Sequence, residues 1–332
     1  MSPASGAISD ICKKISAAGI GILIALIILE AGLRLFPQPV RTDNSYRWNS
    51  TVALGDGYAD IFPYWFDKRL YYAPSQGRID YHFDSLGART AGPAAQPPSG
   101  PSIVVVGDSL TFGFGLRFED SYPRLVEKCL RSRGTGVSLL NFARPGWNAV
   151  DSARQYARVR DWVPHRMLIY GLHLNDLINF PTSQLAAASG KEHPGFLSFS
   201  AFYRFADEAL KRRRERRRII GEILGHRGLD DELARMNLAA IRDMKALADE
   251  KHADFLVLIL PVLIDLGNYP FKPIHRRLAE VLRKEGIDFL DVTPAFARKK
   301  AERLWILPFD QHPNETATPI IADELCEFLV RR

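Results

Sequence analysis

The apolar run Ile103–Val106 and the turn after it constrain the fold of this chain more than any other segment. Four successive β-branched residues predict a short, buried strand. The turn, residues 107–113, has the sequence GDSLTFG, so Ser109 leaves the strand at its carboxyl end. Parallel α/β sheets carry their chemistry at this edge. An ordinary strand-to-helix turn is the alternative, because Gly, Asp and Ser are common turn residues.

A nucleophilic serine needs a base, and His312 is the predicted one among eight histidines. It lies in the polar segment 309–314 (FDQHPN), just ahead of a predicted C-terminal helix. Asp310 stands two residues earlier and is expected to orient the ring and stabilise its protonated form. In the alternative interpretation, this segment is a polar loop whose Asp310 and Asn314 cap the helix that follows.

Two further strand ends supply candidate donors for the oxyanion that acyl transfer generates. Gly146 follows a predicted strand in a loop where glycine permits close backbone approach, and Asn175 follows the next strand. We expect the backbone N–H groups of Ser109 and Gly146 and the side-chain amide of Asn175 to form the oxyanion hole. Each loop alone is more typical of a plain strand end. Three neighbours are expected to line the pocket: Asp108, His173 and Asp176.

Taken in chain order, the segments around Ser109, Gly146, Asn175 and His312 resemble the SGNH (GDSL) hydrolase superfamily. The family's named residues are Ser, Gly, Asn and His, and the resemblance covers about residues 79–330. It implies an α/β domain of three αβα layers around a parallel sheet. It also implies serine esterase or related O-acyltransferase chemistry without a metal or organic cofactor.

Two positions depart from the family pattern. The family usually has glycine two residues before the asparagine, where this chain has His173, expected to be a pocket wall rather than a second base. The family's aspartate usually stands three residues before the histidine, whereas Asp310 stands two before His312. The Asp-x-His pair resembles the alginate O-acetyltransferase branch. The lead-in segment 84–89 (DSLGAR) resembles membrane-anchored bacterial members.

The net charge of +6 is confined to one segment. Residues 211–218 (KRRRERRR) hold seven basic residues and one acidic residue, so basic and acidic residues balance elsewhere. No zinc-finger or RNA-binding pattern accompanies the run, and a nucleic-acid partner is therefore not expected. Three cysteines are too few for a disulfide framework. Cys129 and Cys326 are expected to be buried thiols, with pairing in an oxidising compartment as the alternative.

Residues 15–36 are predicted to form a transmembrane anchor after an N-terminal tail, residues 1–14. A helix extending to Phe36 is about 33 Å long, against a hydrocarbon core of about 30 Å. It includes Glu30 and Arg34, which are four apart and can pair. A cleaved signal peptide is the alternative. Basic residues flank both ends, so charge does not fix the orientation. Resemblance to anchored family members implies an inner-membrane protein with a periplasmic catalytic domain.

The rest of the chain predicts a linker and wrapping segment, residues 37–100, and one catalytic domain, residues 101–332. Strands and helices alternate in this domain, which favours a parallel sheet covered by helices on both faces. Strands are predicted at residues 102–107, 137–142, 166–171, 254–260 and 287–291. Helices are predicted at residues 120–132, 149–161, 229–250, 273–285 and 315–330.

A helical insertion, residues 179–228, interrupts this alternation. Apolar residues from Phe202 to Leu210 have helical spacing and lead into the basic run 211–218. The simpler interpretation is a helix packed on the domain with a solvated basic face. The functional alternative is a lid or surface helix that attracts anionic lipid or an acidic polymer.

The sequence therefore predicts a membrane-anchored serine esterase with Ser109 as nucleophile, His312 as general acid and base, and Asp310 as its orienting carboxylate. The expected substrate is an ester-linked acyl group of a carbohydrate or lipid. An O-acyltransferase acting on cell-envelope polysaccharide through the same site is the enzymatic alternative. A binding or assembly subunit on an inactive hydrolase scaffold is the non-enzymatic one.

Overall fold

The computed structural model describes most of the predicted catalytic domain. The described residues are 3–35, 47–48, 80–92, 100–177, 200, 231–307 and 310–332, with scattered positions between 203 and 229. The predicted amphipathic helix and basic run of the insertion therefore lie largely outside the described residues, as does most of the linker. The chain divides into two compact units: Met1–Val40 with Ala187–Arg217, and Arg41–Ala186 with Arg218–Arg332.

The first unit contains helix α1 (Pro3–Leu35). Near its C-terminal end, Glu30 accepts hydrogen bonds from Arg34 Nε at 2.8 Å and from Ser200 Oγ at 2.9 Å. The ion pair predicted between Glu30 and Arg34 is thus present. Among the residues that the structure describes, no helix combines the length and the apolar character needed to cross a bilayer.

The second unit is built on a parallel five-stranded sheet. Its strands are β4 (Ser102–Gly107), β5 (Ser138–Asn141), β6 (His165–Leu172), β7 (Asp254–Ile259) and β8 (Asp288–Asp291), following the short strands β1 (Arg47–Trp48), β2 (Asp80–Phe83) and β3 (Arg89–Thr90). The order is β5-β4-β6-β7-β8, so β4 and β6 are central neighbours. Val104, Val105 and Val106 are fully buried, as the apolar run predicted. The structure has all five predicted strands.

Helices connect these strands and cover the sheet. They are α2 (Ser109–Phe112), α3 (Tyr122–Ser132), α4 (Ala149–Val159), α5 (Leu174–Leu177), α6 (Glu232–Glu250), α7 (Lys272–Lys284) and α8 (Thr318–Val330). The chain passes from β4 to β5 at one edge of the sheet and then back across β4 to β6, β7 and β8. Right-handed crossovers, the general form of such connections, would place α3 on one face and α4, α6 and α7 on the other. The last helix, α8, packs against α3. The five predicted helices are present, with starts displaced by up to three residues.

A disulfide between Cys129 in α3 and Cys326 in α8 joins the two helices that share one face. The expectation of two buried thiols was wrong. The helical patterns located both cysteines but gave no information on whether α3 and α8 are neighbours. Their contact depends on the sheet order, which brings the C-terminal helix back to the first crossover.

An antiparallel hairpin outside the main sheet carries the predicted base. Its strands are β9 (Trp305–Leu307) and β10 (Asp310–Pro313). The sequence analysis treated this polar segment as a loop and did not predict either strand. Strands β2 and β3 form a second antiparallel pair.

Candidate active site

Ser109 is the first residue of α2, directly after β4. Asp108 caps this short helix, since its Oδ1 accepts a hydrogen bond from the backbone N–H of Leu110 at 2.9 Å. Ser109 is 9% exposed, so its hydroxyl lies in a largely desolvated environment at the carboxyl edge of the sheet. The strand and the cap together hold the serine on a sharp turn.

Two glycines from neighbouring strands make room for this turn. Gly107 and Gly171 are paired across β4 and β6. A Cβ at Gly107 would lie 2.6 Å from Thr111 Oγ1, and one at Gly171 would lie 2.0 Å from the same atom. Thr111 is fully buried and accepts a hydrogen bond from Tyr122 Oη at 3.0 Å. The side chain of Thr111 therefore packs directly against the backbone of Gly107 and Gly171, and a larger residue at either position would push the nucleophile turn out of place.

The hairpin brings His312 to the serine across 203 residues of sequence. Ser109 Oγ and His312 Nε2 are 2.8 Å apart, and Asp310 Oδ1 contacts His312 Nδ1. The same carboxylate oxygen accepts the backbone N–H of His312 at 3.0 Å. With Nδ1–H donating to Asp310, Nε2 is the unprotonated nitrogen and accepts the serine hydroxyl proton. The two-residue spacing between aspartate and histidine is thus compatible with direct contact.

The environment of His312 favours its protonated form. Burial alone would lower the pKa of His312, but the adjacent Asp310 carboxylate and its hydrogen bond outweigh burial, and Asp108 adds a smaller contribution. The pKa of His312 is therefore raised above its ordinary value of 6.5. A base of this kind can both take the serine proton and hold it during the reaction.

Several contacts fix the hairpin that carries His312. Trp305 Nε1 donates to Leu263 O at 2.7 Å, which ties β9 to the loop after β7. Asn314 Oδ1 accepts the N–H groups of Thr316 at 2.9 Å and Ala317 at 3.1 Å in the turn between β10 and α8. The N-cap residue of α8 is Ala317, which has no side-chain cap hydrogen bond, so the helix cap considered for Asn314 is not formed. The ring of Phe114 lies 5.1 Å from that of His312, centroid to centroid.

The candidate oxyanion donors lie at the ends of the two strands that flank β4. Gly146 is exposed and has φ +81°, a conformation that favours glycine, in the turn between β5 and α4. Asn175 lies in α5, immediately after β6. Asn148 caps α4 by accepting from the N–H groups of Val150 and Asp151. The strand order therefore puts both loops beside the nucleophile turn, as predicted, and their role in binding an oxyanion stays a prediction.

Of the three residues expected to line the pocket, Asp108 and Asp176 are buried and His173 is half-buried. Asp176 Oδ2 accepts from Tyr170 Oη at 2.9 Å and from the backbone N–H of His173 at 3.1 Å. Burial raises the pKa of Asp176 well above its usual range, and Asp108 raises it further. Burial also raises the pKa of Asp108. Asp176 therefore anchors the start of α5 rather than presenting a charge to the pocket.

Two buried arginines support the loops around the site, and neither was assigned a role from the sequence. Arg89 donates to the carbonyl groups of Phe112, Gly113 and Leu116, just after the nucleophile helix. Arg144 donates to Ala143 O at 2.8 Å and to Gly87 O. The resemblance of segment 84–89 to membrane-anchored family members did not predict these contacts. Their acceptors are backbone carbonyl groups, which no side-chain motif identifies.

Among the residues that the structure describes, no three His, Cys, Asp or Glu side chains converge in a group able to hold a metal ion. The chemistry that the described geometry supports is proton transfer between the serine hydroxyl, the imidazole and the carboxylate.

Comparison with known proteins supplies the family context for this geometry. Residues 105–317 match the model of the GDSL-like Lipase/Acylhydrolase family. No curated protein matches the chain at a significant level.

The solved structures that match this chain include three bacterial proteins. The psychrotrophic esterase EstA from Pseudoalteromonas sp. is 14% identical with a TM-score of 0.42, covering 70% of this chain and 98% of its own. Axe2, an acetylxylan esterase from Geobacillus stearothermophilus, is 14% identical with a TM-score of 0.44, covering 70% and 95%. A lipolytic G-D-S-L protein from Veillonella parvula is 13% identical with a TM-score of 0.43, covering 70% and 100%.

Proposed function

Because this chain belongs to the GDSL-like lipase/acylhydrolase family, within the SGNH superfamily of serine hydrolases, we propose that Ser109, His312 and Asp310 are its catalytic residues. The proposed reaction is hydrolysis of an ester-linked acyl group of a carbohydrate or lipid. The observation that carries the assignment is the 2.8 Å contact between Ser109 Oγ and His312 Nε2, with Asp310 on the opposite ring nitrogen.

The geometry supports an acyl-enzyme mechanism. Ser109 Oγ attacks the ester carbonyl carbon while His312 Nε2 takes the hydroxyl proton. Asp310 stabilises the imidazolium that forms, and His312 then gives the proton to the departing alkoxide oxygen. In the second half, His312 takes a proton from water, the resulting hydroxide attacks the acyl carbon, and the proton returns to Ser109 Oγ.

The tetrahedral intermediates need hydrogen-bond donors where the negative charge develops. We assign this role to the backbone N–H of Ser109, the backbone N–H of Gly146 and the side-chain amide of Asn175. The first lies at the start of α2, where N–H groups have no intrahelical acceptor. Replacing Asn175 with alanine is expected to lower kcat by about 10²–10³-fold.

A fluorophosphonate probe tests the proposal, because it labels only an activated serine. We expect labelling of the wild-type protein and none of Ser109→Ala or His312→Ala. A second arm measures hydrolysis of nitrophenyl acetate, butyrate and octanoate, which ranks the accepted acyl length. Ser109→Thr is the matched control, because it keeps a hydroxyl group at this position but changes where that hydroxyl lies. Absence of labelling in folded wild-type protein would refute the enzyme and favour the inactive scaffold.

The same acyl-enzyme would serve an O-acyltransferase if a sugar hydroxyl replaced water as the acceptor. Adding an acceptor polysaccharide to the nitrophenyl acetate assay separates the two reactions. A hydrolase releases acetate in proportion to nitrophenol, whereas a transferase moves the acetyl group to the polymer and releases less acetate than nitrophenol. We propose hydrolysis as the principal reaction because the family model describes acylhydrolases.

We also propose that residues 15–36 tether the protein to the inner membrane and that the catalytic domain is periplasmic. The large apolar side chains of α1 between Ile20 and Leu29 are exposed, which in water is unfavourable. The disulfide suits an oxidising compartment. Retention in the pellet after alkaline carbonate extraction, together with protease digestion of the domain in spheroplasts, supports both statements. Release into the soluble fraction would contradict the tether.

A further inference from the structure

His173 makes a contact that its place in the sequence does not explain. Its ring Nδ1 lies 2.5 Å from Oδ1 of Asn175, two residues further along the chain. The backbone of His173 is fixed as well, since its N–H donates to Asp176 Oδ2 at 3.1 Å. Asp176 is buried and also holds Tyr170 at the end of β6. The imidazole is therefore presented from an anchored position.

The contact determines which half of the Asn175 amide is free. A carbonyl oxygen only accepts hydrogen bonds, so the proton of this contact belongs to His173 Nδ1. With Oδ1 occupied, the donating NH₂ group is the half of the Asn175 side chain left for another acceptor. An oxyanion hole requires a donor whose orientation is set before the charge forms.

We propose that His173 is a positioning residue that holds Oδ1 of Asn175 and thereby presents the Asn175 NH₂ group to the oxyanion of the acyl-transfer reaction. This inference rests on the proposed function and deepens its oxyanion hole. It also gives a reason for histidine where the resemblance leads one to expect glycine: a glycine has no side-chain donor to hold the amide.

The surroundings of His173 favour the neutral form of its ring. Burial lowers the pKa of His173. The Asp108 carboxyl and the hydrogen bond to Asn175 act in the opposite direction, whereas the imidazoles of His312 and His275 add to the lowering. A neutral ring carries one proton, and the contact with Asn175 places it on Nδ1. Nε2 of His173 is then an acceptor.

The test uses five variants of the full chain and a short nitrophenyl ester. His173→Ala removes the donor. His173→Asn keeps an N–H at the position of Nδ1, whereas His173→Gln places its N–H one bond further out, near the position of Nε2. Asn175→Ala removes the residue through which His173 is proposed to act, and the His173→Ala/Asn175→Ala double variant closes a thermodynamic cycle. Circular dichroism and thermal melting confirm that each variant is folded.

We expect His173→Ala to lower kcat by about 10-fold or more with little change in KM, because the lost interaction belongs to the transition state. His173→Asn is expected within about 3-fold of wild type and His173→Gln near His173→Ala. In the Asn175→Ala background, His173→Ala is expected to change kcat by less than about 2-fold.

Three results would overturn the proposal, each for a different reason. An unchanged kcat in His173→Ala shows that the contact is catalytically silent. If His173→Ala lowers kcat as much in the Asn175→Ala background as in the wild type, His173 acts independently of Asn175. Equal activities of His173→Asn and His173→Gln show that the Nδ1 position is irrelevant. If the wild-type protein shows no turnover that depends on Ser109, the proposed function and this inference are refuted together. If the wild type is active but the effects of His173→Ala and Asn175→Ala on kcat are independent of each other, only the inference is refuted.

Discussion

The disulfide between Cys129 and Cys326 has a consequence for stability that can be calculated from its position. It closes a loop with a sequence separation of 197 residues, so it removes a large part of the conformational freedom of the unfolded chain. The chain-entropy relation gives about 5 kcal/mol at 25 °C for a loop of this length. Measured effects often fall below this relation, so we expect a loss of about 2–5 kcal/mol when the bond is absent.

The bond also matters for the geometry of the site. Helix α3 begins soon after the nucleophile turn, and its Tyr122 donates to Thr111 within that turn. Helix α8 begins soon after the hairpin with His312. The disulfide therefore links the helix that follows one half of the catalytic pair to the helix that follows the other half. We expect reduction to lower the temperature at which esterase activity is lost, by about 5–15 °C.

Thermal and urea unfolding of the wild type, with and without reductant, measure this effect without any substitution. The control is the Cys129→Ala/Cys326→Ala variant, which reductant is expected to leave unchanged and which should match the reduced wild type. The reasoning is refuted if the oxidised and reduced wild type unfold at the same urea concentration. It is also refuted if reductant destabilises the double variant as much as the wild type.

Three further changes test the support of the site. Asp310→Asn is expected to lower kcat by about 10³–10⁴-fold. Because the base must be unprotonated, the raised pKa of His312 places the acid limb of the pH–rate profile above 6.5, and removing the carboxylate moves that limb to lower pH. Gly171→Ala puts a Cβ 2.0 Å from Thr111 Oγ1 and is expected to lower the free energy of unfolding by about 1–3 kcal/mol, measured in urea. The control is Gly134→Ala, because a Cβ at this exposed position meets no atom within 4 Å and only the positive φ is strained. Arg89→Met removes the guanidinium donor from three carbonyl groups, of which Gly113 O keeps the N–H of Leu116, and is expected to cost about 2 kcal/mol or more by the same measurement. Equal urea midpoints for either variant and wild type, or an acid limb that does not move in Asp310→Asn, would contradict these expectations.

The main sheet was predictable because its three central strands, β4, β6 and β7, contain nearly continuous apolar runs. Val104, Val105 and Val106 are fully buried, and such a run has few alternatives within an alternating α/β pattern. Helix starts were less accurate, since the residues before a helix resemble its first turn. The helix predicted from residue 229 begins at Glu232, where Asp231 accepts the N–H of Ala234 at 2.7 Å.

The pairing of Ser109 with His312 was predictable only from chemistry and family resemblance, and the hairpin that achieves it was not. Strand β10 contains Asp310, Gln311 and His312, whose polar side chains give no strand periodicity. Strand β10 pairs with β9, and the sequence between the two strands includes Pro308, a residue that does not favour a strand. The hairpin is held by tertiary contacts such as the Trp305 bond to Leu263 O, which a local pattern does not contain.

The contacts of the two buried arginines, Arg89 and Arg144, could not be predicted from the sequence. The guanidinium group of Arg89 lies over the rings of Tyr81 and Phe112 and donates to carbonyls after the nucleophile helix, while that of Arg144 lies over Phe83. Burial lowers the pKa of Arg89 to about 10, with Arg144 adding to the lowering and Tyr81 and Asp120 opposing it. The carbonyl and ring contacts give the buried guanidinium group the partners that water would otherwise supply. Backbone carbonyls are the same for every residue, and no motif therefore identifies the acceptors. The position of the nucleophile turn thus depends on side chains outside the catalytic motifs, and the effect of changing them is expected to appear first in stability and only then in kcat.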